Sequence, residues 1–171
     1  PASRGLERFV AGGDVIAVVS DHYAFVHLPV ERAADVVKVA LIDLRGDDSK
    51  LIATQVRQSG GGGARELVTL WDVQGGQLHQ VGAIEVGKER GAGRLRSTWA
   101  VEAAKKWKAA KGAKKVLVVK AQPAVGWDED SYGEVPAGDA EPIHVPWDDD
   151  RTGGVFWLDT SGALKSAPIT R

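Results

Sequence analysis

Two short stretches set tryptophan beside consecutive acids: "GWDEDSY" from Gly126 to Tyr132 and "PWDDD" from Pro146 to Asp150. Aromatic rings stack on sugars or apolar side chains, while carboxylates accept hydrogen bonds or hold a cation. The residue types therefore fit a binding face made of Trp127, Asp128, Glu129, Asp130, Tyr132, Trp147, Asp148, Asp149 and Asp150. A second chemistry open to the same loops is hydrolysis, with one carboxyl as acid and another as base across a glycosidic bond. No spacing rule selects such a pair, so no catalytic residue is assigned. The plain alternative is that the acids solvate two loops while each tryptophan folds back as a lid on the core. Between the two stretches, "EVPAGDAEPIHVP" holds three prolines and little periodicity. It reads as a long loop or an edge strand, and loops of that length are often functional.

A third acidic stretch, "IDLRGDDSKLIA" from Ile42 to Ala53, packs Asp43, Asp47 and Asp48 into six residues. Calcium takes about 6–8 oxygen ligands, and a guanidinium at Arg45 removes one position and repels the ion. Calcium is therefore possible but not favoured, no other cofactor is expected, and the stretch reads as a polar turn held by aspartate hydrogen bonds. Arg45 is expected to pair with Asp43 or Asp48. Arg45-Gly46-Asp47 also matches a tripeptide that some adhesive proteins show to receptors, but three residues recur by chance.

The remaining candidates carry less. His22, His27, His79 and His144 show no metal-ligand spacing. Ser20-Asp21-His22 supplies the residue types of a hydrolytic triad, but sequence neighbours cannot reach its geometry. Gly60 to Gly63 lead into Ala64-Arg65-Glu66 rather than the Gly-Lys-Ser/Thr of a phosphate loop, and read as a flexible hairpin tip. "KKWKAAKGAKK" makes a basic patch around Trp107 that could meet a polyanion or lipid headgroups. The expected reading is a solvated tip whose lysines discourage edge-to-edge pairing.

The elements that must position these residues are strands. "DVIAVVSDHYAFVHLPV" reads as a hairpin broken at Ser20-Asp21, and "DVVKVALIDL" as a buried strand. "LIATQVRQS" alternates up to the glycines. "ELVTLWDV" and "QLHQVGAIEV" form a hairpin closing at Gly75-Gly76. In it Leu67, Thr69, Trp71 and Val73 share one face, as do Leu78, Gln80, Gly82 and Ile84. "RLRSTWAVEA" alternates, "KKVLVVKAQ" is a compact strand, and "GGVFWLDTSGALKSAP" turns at Ser161-Gly162. "EAAKKWKAAKGAKK" has helical composition but is short and interrupted by Gly112, so it fits a hairpin arm or one or two helical turns.

"VALIDLRGDDSKLIATQVRQ" resembles the core of FG-GAP (VCBS-type) repeats of integrin-like β-propellers. Ile42-Asp43-Leu44, Gly46-Asp47 and Leu51-Ile52-Ala53 match the incoming strand, acidic loop and outgoing strand. "LVTLWDVQGGQLHQVGAIEV" looks like the hairpin that follows. Arg45 stands where that family usually places a liganding aspartate, and Asp48 where glycine is common. The resemblance implies a blade-like antiparallel sheet; it occurs once, whereas a closed propeller needs several blades.

With 171 residues, an apolar fraction of 43% and a net charge of −1, the chain is expected to form one β-rich domain spanning residues 1–171. The expected class is mostly β, with antiparallel hairpins in a single compact sheet, sandwich or blade-like domain and little helix. The charge balance gives no field for nucleic acid, and no stretch reaches the roughly 18 apolar residues of a membrane-crossing helix. Cysteine is absent, which excludes thiol catalysis and disulfides in these residues. With no methionine and a start at Pro1, the chain reads either as a trimmed expression product or as a mature exported protein whose signal peptide or lipid-anchor cysteine lay upstream, with a slight lean toward export. Its expected role is a non-catalytic binding or assembly module, periplasmic, outer-membrane-associated or secreted, with a protein or glycan partner at the cell envelope. The alternatives are a carbohydrate-active or other hydrolytic domain, and an intracellular β scaffold with no ligand.

Overall fold

The computed structural model describes residues 8–19, 23–128, 130, 140–141 and 151–170. Three short strands come first, β1 (Arg8–Gly12), β2 (Val15–Val19) and β3 (Tyr23–His27), paired antiparallel in that order. Longer strands follow: β4 (Val36–Ile42), β5 (Leu51–Gly60), β6 (Gly63–Gln74), β7 (Gln77–Arg90) and β8 (Gly93–Ala103). The chain closes with β9 (Lys115–Ala121), the two-residue β10 (Ala140–Glu141), β11 (Arg151–Leu158) and β12 (Leu164–Thr170). The larger sheet runs β12-β11-β9-β8-β7-β6-β5-β4, and β10 lies parallel on β7. The fold is mostly β and antiparallel, as the hairpin signals require.

The hairpin between β6 and β7 closes at Gly75-Gly76, with φ of 58° and 75°. Two successive positive φ values match the right-handed twist of the strands and suit glycine at both positions. The β7–β8 pairing is short: β8 leaves β7 after Arg96 and pairs with β9 from Ser97 onward. The larger sheet therefore splits into two halves that face each other. Ala53, Val68, Leu70, Ile84 and Val86 from one half share a core with Leu117, Val119 and Phe156 from the other. That is a sandwich closed along a shared strand.

The outer faces of both halves are covered. Ile16, Val18 and Leu28 of the three-stranded sheet and its exit pack against Ile52, Val56, Leu67 and Trp71. This is why β5 opens with four consecutive buried residues, Leu51 to Thr54, rather than alternating. On the far side, Ala104 and Ala110 pack on Val116, Val118 and Val155. They belong to two 3-10 turns, Ala104–Lys106 and Lys108–Ala110, which settle the ambiguous alanine- and lysine-rich segment as helical turns.

One expectation needs correcting. Leu78 and Ile84 of β7 do not share a face: Leu78 packs beside Trp71, whereas Ile84 points into the sandwich core. The β6–β7 register skips Val81 opposite Leu70 and Trp71. A bulge adds one residue, and one added residue reverses every later side chain in a period of two.

Candidate functional site

Of the expected binding face, Trp127, Asp128 and Asp130 are described; Glu129, Tyr132, Trp147, Asp148, Asp149 and Asp150 lie outside the described residues, as do Ser20, Asp21, His22 and His144. Val125 bridges to Arg94 through two backbone hydrogen bonds of 2.7 and 3.0 Å, which bring the chain across the β7–β8 hairpin. Gly126 follows at φ 64°, where an added Cβ would stand 2.8 Å from the Ala92 carbonyl oxygen. The turn lays the Trp127 ring on Gly93, so closely that a Cβ there would be 2.3 Å from Nε1. Trp127 is half-buried as a lid on the hairpin, while Asp128 and Asp130 are exposed. Lys88 Nζ stands 6.0 Å from the Trp127 ring centroid.

The Asp43–Asp48 turn is held from inside the protein. Asp43 Oδ1 accepts from the Gly46 amide at 2.6 Å, and its Oδ2 pairs with Lys115 Nζ at 3.2 Å. Asp47 Oδ1 accepts from both the amide and the hydroxyl of Ser49. Arg45 pairs with neither Asp43 nor Asp48, contrary to expectation. It reaches β6 and grips buried Asp72 with two nitrogens, at 3.2 and 2.5 Å. Burial opposes ionisation of Asp72, but hydrogen bonds from Arg45 and Gln74 hold its carboxyl below the usual aspartate range. Among the described residues no group of three or more His, Asp or Glu side chains is placed to hold a metal ion.

A cleft of about 710 Å³ opens where Pro29, Val30 and Glu31, between β3 and β4, face the ends of β5, β6 and β7. Gln58, Arg65, Glu85, Lys88 and Arg90 line it, together with Asp35, Arg57 and Glu89. Much of this charge is already spent. Glu89 receives Arg57 Nη2 at 2.6 Å and Arg96 Nη2 at 3.0 Å, with Arg94 Nε at 3.4 Å. Those contacts outweigh desolvation and depress the Glu89 carboxyl to about 2. Buried Asp35 is held by Arg32 through Nε at 3.1 Å and Nη2 at 2.9 Å.

Glu85 is different. It is 5% exposed and lines the cleft, yet no described side chain or backbone group forms a hydrogen bond or ion pair with it. Burial pushes its carboxyl above the ordinary glutamate range, against the opposing pull of the Lys88 and Arg65 charges. Arg65 donates to the neutral Gln58 Oε1 at 2.8 Å and makes no ion pair. A carboxyl on a largely buried side chain, shifted by desolvation and lining a cleft, marks a candidate site. The sequence held a signal for it: Glu85 is the single charge inside the apolar run "VGAIEV". The lysine-rich segment, by contrast, leaves Lys105, Lys108 and Lys111 exposed over a small apolar cluster.

No protein-family model matches the chain, and neither a curated protein nor a solved structure matches it.

Proposed function

We propose that the chain is a non-catalytic binding or assembly module whose ligand site is the cleft around Glu85, with Trp127 and its acidic neighbours at the rim. The observation that carries this reading is Glu85, a largely buried glutamate that lines a cleft of about 710 Å³ without a salt bridge or hydrogen bond to a described residue. That volume falls in the ordinary range of about 300–1,000 Å³ for small-ligand sites. Lys88 joins the two parts of the site, since it lines the cleft and stands beside the Trp127 ring.

One observation bears on the hydrolytic alternative. Glu85 and Glu89 line the same cleft with pKa values moved in opposite directions, the arrangement of an acid and a base. Both oxygens of Glu89 are engaged by arginines, however, and a carboxylate titrating near 2 is a poor base. Binding is therefore the better reading. It includes a location outside the cytoplasm, supported by a chain that carries no oxidisable sulfur. Fractionation of the native cells tests that part.

Amide chemical-shift mapping with a panel of neutral oligosaccharides and short peptides tests the site. Shifts are expected to cluster at Gly60, Gly63, Arg65, Glu85 and Lys88. Shifts confined to Lys105–Lys111 would place binding on the basic turns and overturn the reading.

A further inference from the structure

Lysine recurs at every third position in the connection between β8 and β9, and the backbone there has the same period. The Trp107 amide donates to the Ala104 carbonyl at 2.8 Å, Ala110 to Trp107 at 3.1 Å, and Ala113 to Ala110 at 3.1 Å. These bonds close successive three-residue turns, in which side chains three apart fall on one side. Ala104, Trp107, Ala110 and Ala113 all turn inward, onto Val116, Val118 and Val155. Lys105, Lys108 and Lys111, each one position later, are left exposed. Successive lysines stand one turn apart, roughly 6–10 Å between the limits of 3-10 and extended chain. The Ala104 amide also donates to the Lys114 carbonyl at 3.0 Å, which draws the ends of the loop together into a cap.

The neighbouring lysines have partners. Lys106 meets Glu102 at 3.5 Å, Lys114 donates to the Gly46 carbonyl at 3.3 Å, and Lys115 pairs with Asp43 at 3.2 Å. Among the described residues, Lys105, Lys108 and Lys111 have none. Exposed lysines often blunt an open strand edge. These do not, because β8, β9 and β11 are interior strands of the larger sheet and the cap rests on the face of β9 and β11. Three uncompensated like charges held on one cap therefore call for an anionic partner.

The composition of the cap narrows that partner. A protein interface relies on apolar or aromatic anchors and is depleted in lysine. Here the one large apolar side chain, Trp107, packs inward with its Nε1 enclosed. Single-stranded nucleic acid is held by bases stacked on exposed rings and favours the arginine fork, and the cap presents neither. A layer of anionic headgroups needs only point charges, each worth about fivefold in partitioning. We propose that the Lys105, Lys108 and Lys111 cap docks the domain on an anionic phospholipid surface, apart from the cleft. Three lysines give about a hundredfold in all, a reversible association rather than an anchor.

Flotation with vesicles of phosphatidylcholine alone, or with about one-third phosphatidylglycerol, tests this. Binding to the anionic vesicles is expected at about 0.05 M salt and not at about 0.5 M, with none to the neutral vesicles. Lys105→Gln, Lys108→Gln and Lys111→Gln together should lower partitioning by at least about tenfold while leaving the melting temperature unchanged. Arg8→Gln, Lys50→Gln and Lys165→Gln change net charge equally at exposed positions elsewhere, and together should lower it by less than about threefold. Should the first variant fail to fold, Lys108→Gln alone supplies the test, with an expected loss of about fivefold. No binding to anionic vesicles, equal losses in the two triple variants, or no loss in Lys108→Gln overturns the proposal. Binding of a DNA oligonucleotide or polyglutamate that depends on the three lysines, with no vesicle binding, overturns the membrane assignment and makes the cap a site for that polyanion.

Discussion

Arg45 and Asp72, 27 positions apart, meet as a two-pronged ion pair that ties the β4–β5 turn to β6. The pair explains why the acidic turn carries a guanidinium among its carboxylates. It also makes the turn part of the sheet rather than a loose surface feature. Arg45→Met should cost about 2–4 kcal/mol, because it strands a buried carboxylate without its partner. Denaturant unfolding checks it, and a double-mutant cycle with Asp72→Asn should recover most of the loss. Melting of the wild type should be unaffected by millimolar calcium or chelator; a large calcium-dependent rise would show native-state binding instead.

Glu89 makes stability depend on acid. Its carboxyl is lowered from 4.5 to about 2 in the folded state, so the folded state binds fewer protons than the unfolded chain between those values. The contribution is complete above the unfolded value and disappears as pH falls through the folded one. With the side chain 24% exposed, screening reduces it to about 2–3 kcal/mol. Urea unfolding of Glu89→Gln against wild type should show that gap near neutral pH and its closure toward pH 2.

Glu85 carries the opposite sign. A folded-state pKa raised by burial means the folded protein holds its proton more tightly, so stability falls as pH rises past the unfolded value. Glu85→Gln should therefore melt at a higher temperature than wild type at pH 7 and approach it as the solution is acidified. Equal melting temperatures across that range would show that the carboxyl is better compensated than its surroundings indicate.

Trp71 is 8% exposed and donates from Nε1 to the buried Thr54 hydroxyl at 3.0 Å. Trp71→Ala should cost about 3–5 kcal/mol, the range for emptying a large aromatic site. Chemical denaturation measures it, and a loss below about 1 kcal/mol would contradict the packing of the three-stranded sheet on β5 and β6.

Gly93 and Trp127 form a contact that a single methyl should disturb. Gly93→Ala places a Cβ 2.3 Å from Nε1, so the ring must move. Among the six indole N–H signals in a two-dimensional NMR spectrum, the one assigned to Trp127 should shift most. An unmoved Trp127 signal would mean that the lid does not rest on the hairpin.

Much of the architecture was legible because it is written in local chemistry. Gly75-Gly76 marks its turn, and the alternation around Trp71 and Trp99 marks the strands. Features that depend on distant partners were not legible. The bulge at Val81 leaves no compositional trace, so the face of Ile84 could not be read from parity. Arg45 was assigned to its nearest acids because sequence shows neighbours, whereas Asp72 arrives only when β6 pairs with β5. The cleft was missed for the same reason: Arg65 and Glu85 belong to different strands, and only pairing brings them to one wall. Trp127 and its acids were found by composition, but composition could not tell an exposed ring from one laid on Gly93.

The order of strands also governs how the chain can acquire its shape. From β4 to β9 every neighbour in the larger sheet is the next strand in sequence, and three of those joins turn in two residues. Such a meander grows by zippering, each new strand adding to an edge already in place, with little loop entropy lost at any step. The exceptions are β10, which lies on β7, and β11, whose Gly153 must find Lys120 of β9 across the long acidic and proline-containing segment. That encounter closes the sandwich over Phe156, and its speed depends on the length of a connection rather than on a turn. Shortening the segment should therefore hasten folding, while substitutions in the glycine turns should act earlier, on the growth of the meander itself.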